Sequence, residues 1–194
     1  MIFKKNIQFA KKLDTEDSLS KFQGYFEIPK LKGFKTLYFC GNSLGLKPKK
    51  TDLYLTKELH EWSEKAVEAH FNGSIPWYYY HHYLKQQTAN IVGAEKNEVV
   101  CMNTLTTNLH LLLVSFYRPQ GARKKILIEK NPFSSDLYML KSQILMRGLE
   151  PEKVIVEIEP RKNEHIIRTE DIERKIEDLS KELSLVFFGG VNYF

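Results

Sequence analysis

The chain has 194 residues, of which 42% are hydrophobic, 12% aromatic and 27% charged, the profile of an ordinary globular protein of one domain or a little more. Its formal net charge is +5, but lysines and arginines are interleaved with acids rather than gathered on one stretch, which argues against a nucleic-acid partner. No apolar run reaches membrane-spanning length, the N-terminus lacks a secretory signal, and Cys40 and Cys101 have no metal-ligand spacing; a cytoplasmic protein with reduced thiols, no metal and no membrane partner is expected.

Residues 1–35 are mixed and charged and read as a helix and a connector. A short aromatic strand around Tyr38 and Phe39 then runs into Gly41-Asn42-Ser43-Leu44-Gly45, and Pro48 suits the first turn of the next helix. This loop can present Asn42 and Ser43 to a ligand, or it simply joins strand to helix. Residues 49–69 place Leu55, Leu59, Trp62 and Ala66 on one face of an amphipathic helix. Asn72-Gly73 and Ile75-Pro76 break it, leaving a loop with His70, Asn72, Ser74 and Trp77. Such a loop can bind an aromatic or carboxylated molecule, or serve as a turn anchored by Trp77. Residues 78–92 read as helix, ended by Gly93; His81 and His82 are adjacent, so they should diverge and make no metal pair.

Val99, Val100, Cys101 and Met102 suggest a buried strand, followed by a polar turn and a buried helix with Leu105, Leu109, Leu112, Leu113 and Phe116 at helical spacing. A helix N-terminus carries free N–H groups and partial positive charge, which suits a phosphate; the alternative is that Asn103 or Thr104 merely caps the helix. Further strands are expected at Lys125–Glu129, residues 154–158 and residues 185–188. Between them lie a helix over residues 137–146 stopped by Gly148 and another starting at Thr169. The order β-α-β-α-β-α-β predicts an α/β protein with a mostly parallel sheet and flanking helices, whose ligands sit at the carboxyl ends of the strands. No Gly-x-Gly-x-x-Gly or Walker-type glycine loop is present. A central-type strand leading into Gly189-Gly190 at the end of the chain predicts a truncated protein.

Several stretches together resemble the kynureninases, in that family's order and spacing from residue 37 onward. They are Tyr38-Phe39-Cys40-Gly41-Asn42-Ser43-Leu44-Gly45, His70 through Pro76-Trp77, Met102-Asn103-Thr104-Leu105-Thr106-Thr107-Asn108-Leu109-His110, Phe133-Ser134-Ser135-Asp136, and Phe188-Gly189-Gly190-Val191-Asn192-Tyr193-Phe194. The resemblance implies a pyridoxal-5′-phosphate enzyme of the aspartate-aminotransferase-like fold (fold type I), acting as a homodimer on a small molecule. The implied reaction is hydrolytic cleavage of L-kynurenine or 3-hydroxykynurenine to alanine and anthranilate or 3-hydroxyanthranilate, in tryptophan catabolism and NAD synthesis.

It implies that Leu105 and Thr106 meet the cofactor phosphate, Phe133 stacks on its ring, Asp136 faces its ring nitrogen, and Ser134 and Ser135 belong to the same loop. Asn42, Ser43 and His70 match substrate-side positions. Residues 1–60 would be an N-terminal arm and substrate-side segment, and residues 61–194 the first half of the cofactor domain. Ser134 stands where the family usually has proline, and Gly189 where many relatives have serine. The family's Schiff-base lysine is expected beyond residue 194, so no catalytic residue is assigned and the chain alone is expected to be inactive. Alternatives left open are another fold-type-I enzyme, such as a cysteine desulfurase-like protein, and a non-catalytic truncated protein.

Overall fold

The computed structural model describes residues 2–191, in two compact units that join in sequence between Gln87 and Thr88. In the first unit, α1 (Ile7–Glu16) starts at Asn6, whose side-chain oxygen accepts the Phe9 N–H at 2.8 Å. A small antiparallel hairpin follows, β1 (Lys30–Leu31) with β2 (Phe34–Lys35); Lys32 and Gly33 turn it with φ of 50° and 84°. The expected aromatic strand around Tyr38 does not form. These residues join no ladder, and the Tyr38 hydroxyl instead donates to Leu44 O at 2.7 Å, bracing the glycine-containing loop.

The amphipathic helix is present as α2 (Thr51–Lys65) and ends where Ala66 adopts φ 46°. Its apolar face finds no cover within this unit: Leu55, Leu59 and Trp62 are all exposed. A short α3 (Ala69–Asn72) buries Ala69, and a one-turn α4 (Tyr80–Tyr83) breaks at Leu84 before α5 (Lys85–Val92). In α4 the His81 and His82 rings do not diverge but lie 4.1 Å apart, since adjacent side chains are only about 100° apart around a helix and two large rings can swing toward each other. Among the described residues no cluster of three metal-ligating side chains occurs.

The second unit is an α/β layer structure. Its sheet contains β3 (Lys125–Glu129), β4 (Ile155–Ile158) and β5 (Leu183–Phe187), all parallel, in the order β4-β3-β5. Strand β5, expected to be central, is thus an edge among the described residues. β3 explains the layering by simple alternation: Ile126 and Ile128 point into one apolar cluster and Leu127 into the other, all fully buried. On the first face pack α6 (Leu105–Phe116), α7 (Ser134–Met146) and the single turn α8 (Pro151–Val154), through Leu113, Tyr117, Met139, Leu140, Ile144 and Val154. On the second face packs α9 (Thr169–Asp178), through Ile172 and Ile176.

Two expectations change here. Residues 99–102 are extended but join no strand, and of α6 only Leu113 is fully buried, with Leu105, Leu112 and Phe116 exposed. Val99 and Cys101 still alternate with the exposed Val100 and Met102, so the strand pattern is in place without a partner ladder. Gly148 stops α7 as expected. At φ 69° it lets its own N–H reach Leu145 O at 2.9 Å and the Leu149 N–H reach Ile144 O at 3.2 Å. No helix among the described residues is long and apolar enough to cross a membrane.

Candidate functional site

Parallel strands point their carboxyl ends to one rim, and the loops there carry most of the predicted cofactor residues. At the end of β3, residues 130–133 turn sharply, with Asn131 at φ 56°, and deliver Phe133 as the N-cap of α7. The helix starts at Ser134, three residues earlier than the sequence pattern suggests, since Ser134, Ser135 and Asp136 show no apolar periodicity. Asp136 consequently lies in the first turn, its N–H donating to Phe133 O at 3.0 Å. Beside it is the start of α6, whose N-cap Thr104 makes no side-chain capping bond. The Thr104 and Thr107 hydroxyls pair with each other at 3.2 Å. Asn103 and Asn108 brace the turn, the Asn103 N–H donating to Asn108 Oδ1 and Asn108 Nδ2 donating to Asn103 O, each at 3.1 Å. The N–H groups of Leu105, Thr106 and Thr107 have no intrahelical acceptor by helix geometry.

Leu105, Phe133, Asp136, Glu129, Phe187 and the Gly189-Gly190 turn enclose a pocket of about 310 Å³. The Phe133 ring is half-exposed toward solvent, as a stacking face must be. Asp136 is mostly covered, and its Oδ1 is buried without a hydrogen-bond partner. That burial pushes its carboxyl above the usual carboxylate range. A buried acceptor left unpaired is costly and marks a place where a donor belongs. Glu129, the last residue of β3, accepts the Gly189 N–H at 3.4 Å. A Cβ built on Gly189 would come within 3.1 Å of that same Glu129 oxygen, so the turn is shaped around the carboxylate.

Of the predicted residues, Leu105, Phe133 and Asp136 thus share one pocket. Ser134 and Ser135 occupy the first turn of α7, and Thr106 is half-buried in the first turn of α6. Asn42, Ser43 and His70 belong to the first unit. Asn42 and Ser43 are exposed in a turn where the Ser43 N–H donates to Cys40 O at 3.0 Å. The His70 ring meets Trp77 edge-on at 5.3 Å, and Trp77 Nε1 donates to Glu58 at 2.7 Å, so Trp77 does anchor that turn. Residues 192–194, part of the last resembling stretch, lie outside the described residues. Sequence reasoning missed Glu129, whose only signal was an acid ending an apolar strand on the ligand rim.

The arrangement suits a flat ring with a cationic N–H and an anionic substituent: an apolar face, a carboxyl side chain with one unpaired oxygen and a helix N-terminus line one space. No family model matches the chain. A kynureninase of Christiangramia forsetii is 50% identical over 194 residues, covering 100% of this chain and 46% of that protein. One of Flavobacterium johnsoniae is 48% identical over the same span, again 46% of its length. The mouse (Mus musculus) kynureninase is 39% identical over 197 aligned positions, covering 95% of this chain and 42% of that protein. The chain is thus similar along its length to bacterial and animal kynureninases, and it spans about half the length of each.

Proposed function

We propose that this chain carries the cofactor-binding portion of a kynureninase, a pyridoxal-5′-phosphate-dependent hydrolase of fold type I. Its reaction is the hydrolytic Cβ–Cγ cleavage of L-kynurenine or 3-hydroxykynurenine, releasing L-alanine and anthranilate or 3-hydroxyanthranilate. The reading includes a cytoplasmic homodimer, residues 1–60 as arm and substrate-side segment, and residues 61–194 as the first half of the cofactor domain. One observation carries it: Asp136, whose Oδ1 is buried without a partner, lines the pocket that also holds Phe133 and the start of α6.

The residues present fit the cofactor. The N–H groups of Leu105 and Thr106, with the Thr106 hydroxyl, would hold its phosphate at the positive end of α6. Phe133 would stack on the ring, and Ser134 and Ser135 would supply polar contacts from the same turn. Asp136 would accept the ring N–H and keep that nitrogen protonated, which pairs the orphaned oxygen and stabilises the carboxylate by an opposite charge. Asn42, Ser43 and His70 would line the substrate side. When bound, the cofactor supplies an electron sink for carbanion chemistry.

The test is an assay of the full-length protein containing this chain, supplied with pyridoxal phosphate and L-kynurenine or its 3-hydroxy form. Appearance of the fluorescent aminobenzoate and an equal amount of alanine is expected; absence of both products with well-folded protein overturns the reading. Thr106→Ala should loosen cofactor retention about tenfold, the worth of one charge-assisted hydrogen bond. Unchanged retention in equilibrium dialysis removes Thr106 from the phosphate site.

A further inference from the structure

Resting on that cofactor reading, we infer that His110, Gln143 and Arg147 are positioning residues that set the two helix N-termini of the pocket against each other. Leu105 begins α6, while Phe133 and Asp136 belong to the start of α7, and all three line the same space. The ligand therefore needs the two helices in one mutual register. Their apolar contacts, through Leu113 and Tyr117 against Met139, Leu140 and Ile144, are non-directional and do not define a register sharply.

The directional contacts lie further down the same pair of helices. Gln143 is 4% exposed, a buried amide in an otherwise apolar layer. Both of its polar atoms are satisfied across or along the interface. Arg147 Nη1 donates to Gln143 Oε1 at 2.7 Å, which leaves Gln143 Nε2 to donate to His110 Nδ1 at 2.8 Å. With Nδ1 as acceptor, the neutral His110 ring carries its proton on Nε2. Arg147 also bonds Gln143 O at 2.9 Å and, across to α6 and its C-cap, Leu113 O at 2.8 Å and Tyr117 O at 3.1 Å. Its guanidinium lies 5.1 Å from the Tyr117 ring centroid. A cation gripping the carbonyl end of α6 suits the helix dipole, and the fork geometry of Arg fixes distance and angle together. His110 is five residues from Leu105, about 7.5 Å along the axis, so an axial slip at the clamp passes undiminished to the pocket.

The experiment uses the apo form of the full-length protein and pyridoxine 5′-phosphate, which has the ring and phosphate but no aldehyde to react with a lysine. His110→Ala and Gln143→Leu are expected to weaken its binding about tenfold at a temperature where circular dichroism shows both variants folded. His110→Asn, whose side-chain oxygen can stand where Nδ1 does, is expected to bind within about twofold of the parent. A purely structural role would instead lower melting temperatures and leave the affinity of the folded variants unchanged, and that result overturns the inference. Should Gln143→Leu fail to fold, the half-buried His110 pair decides alone: equal affinity of His110→Ala and the parent overturns the inference, and loss with rescue by asparagine supports it. If the parent itself does not bind the probe, or Asp136→Asn binds as well as the parent, the cofactor reading falls and this inference with it.

Discussion

At the scale of single residues, Asp136 is the most informative side chain. Its Oδ1 is buried and unpaired, and burial raises its carboxyl above the ordinary range. The sign of the resulting pH dependence is determined by that direction. A raised folded-state value means the folded protein holds its proton longer than the unfolded chain does, so stability falls as pH rises through the carboxylate range toward the raised value. Asp136→Asn should therefore flatten this fall and stabilise the ligand-free protein at neutral pH, while gaining little under acid conditions. Thermal melts of both forms across that range check it; a variant less stable than the parent at neutral pH would contradict the assignment. The same substitution should weaken the cofactor, because an amide cannot hold the ring nitrogen protonated. Gain of apo stability with loss of binding separates a site residue from a structural one.

At the scale of elements, the sequence located helices better than their ends. Apolar spacing marked α6 and α9, but α7 begins three residues before its apolar pattern does, and the first turn it gains is the one holding Asp136. The strand pattern at residues 99–102 is real, with alternating exposure, yet it forms no ladder, since a strand needs a neighbour and the pattern does not name one. Helix stops were more legible, because a left-handed residue is a local requirement. Gly148 at φ 69° has open space for a Cβ, so its cost on substitution is conformational alone. Gly148→Ala should destabilise the protein by about 1–2 kcal/mol, read from chemical denaturation. No measurable change would mean that the α7 stop is not held in this geometry. Charge also secures an element here: Asp171 takes two bonds from Arg161, at 2.7 and 2.8 Å, tying the loop after β4 to the first turn of α9. The Arg161 hydrogen bonds hold the Asp171 carboxyl below its usual range, so this tie persists until pH falls through that lowered value.

At the scale of the whole molecule, the prominent feature is uncovered apolar surface. Leu59 and Trp62 on α2 are 61% and 62% exposed, and Phe116 at the end of α6 is 78% exposed, although each sits where its pattern says a core should be. Amphipathic periodicity reports that a face wants to be buried; it does not say against what. The 194-residue chain by itself should accordingly bind an environment-sensitive apolar dye strongly while retaining native circular dichroism. Dye fluorescence no higher than that of an ordinary folded monomer would show these faces to be covered in solution.

What the sequence determined by itself was local and compositional: the α/β class, the helix cores, the glycine stops, and the motifs that tie the chain to the kynureninases. Each depends on residues a few positions apart, or on direct likeness to relatives. Tertiary structure decided the rest. Leu105 lies 24 residues before Glu129 and Phe133 lies 54 residues before Phe187, and only the parallel rim makes all four the walls of one pocket. The unpaired oxygen of Asp136 and the clamp of Gln143 and Arg147 on α6 likewise arise from packing. Burial and partnership depend on which surfaces meet, and no spacing along the chain contains that information.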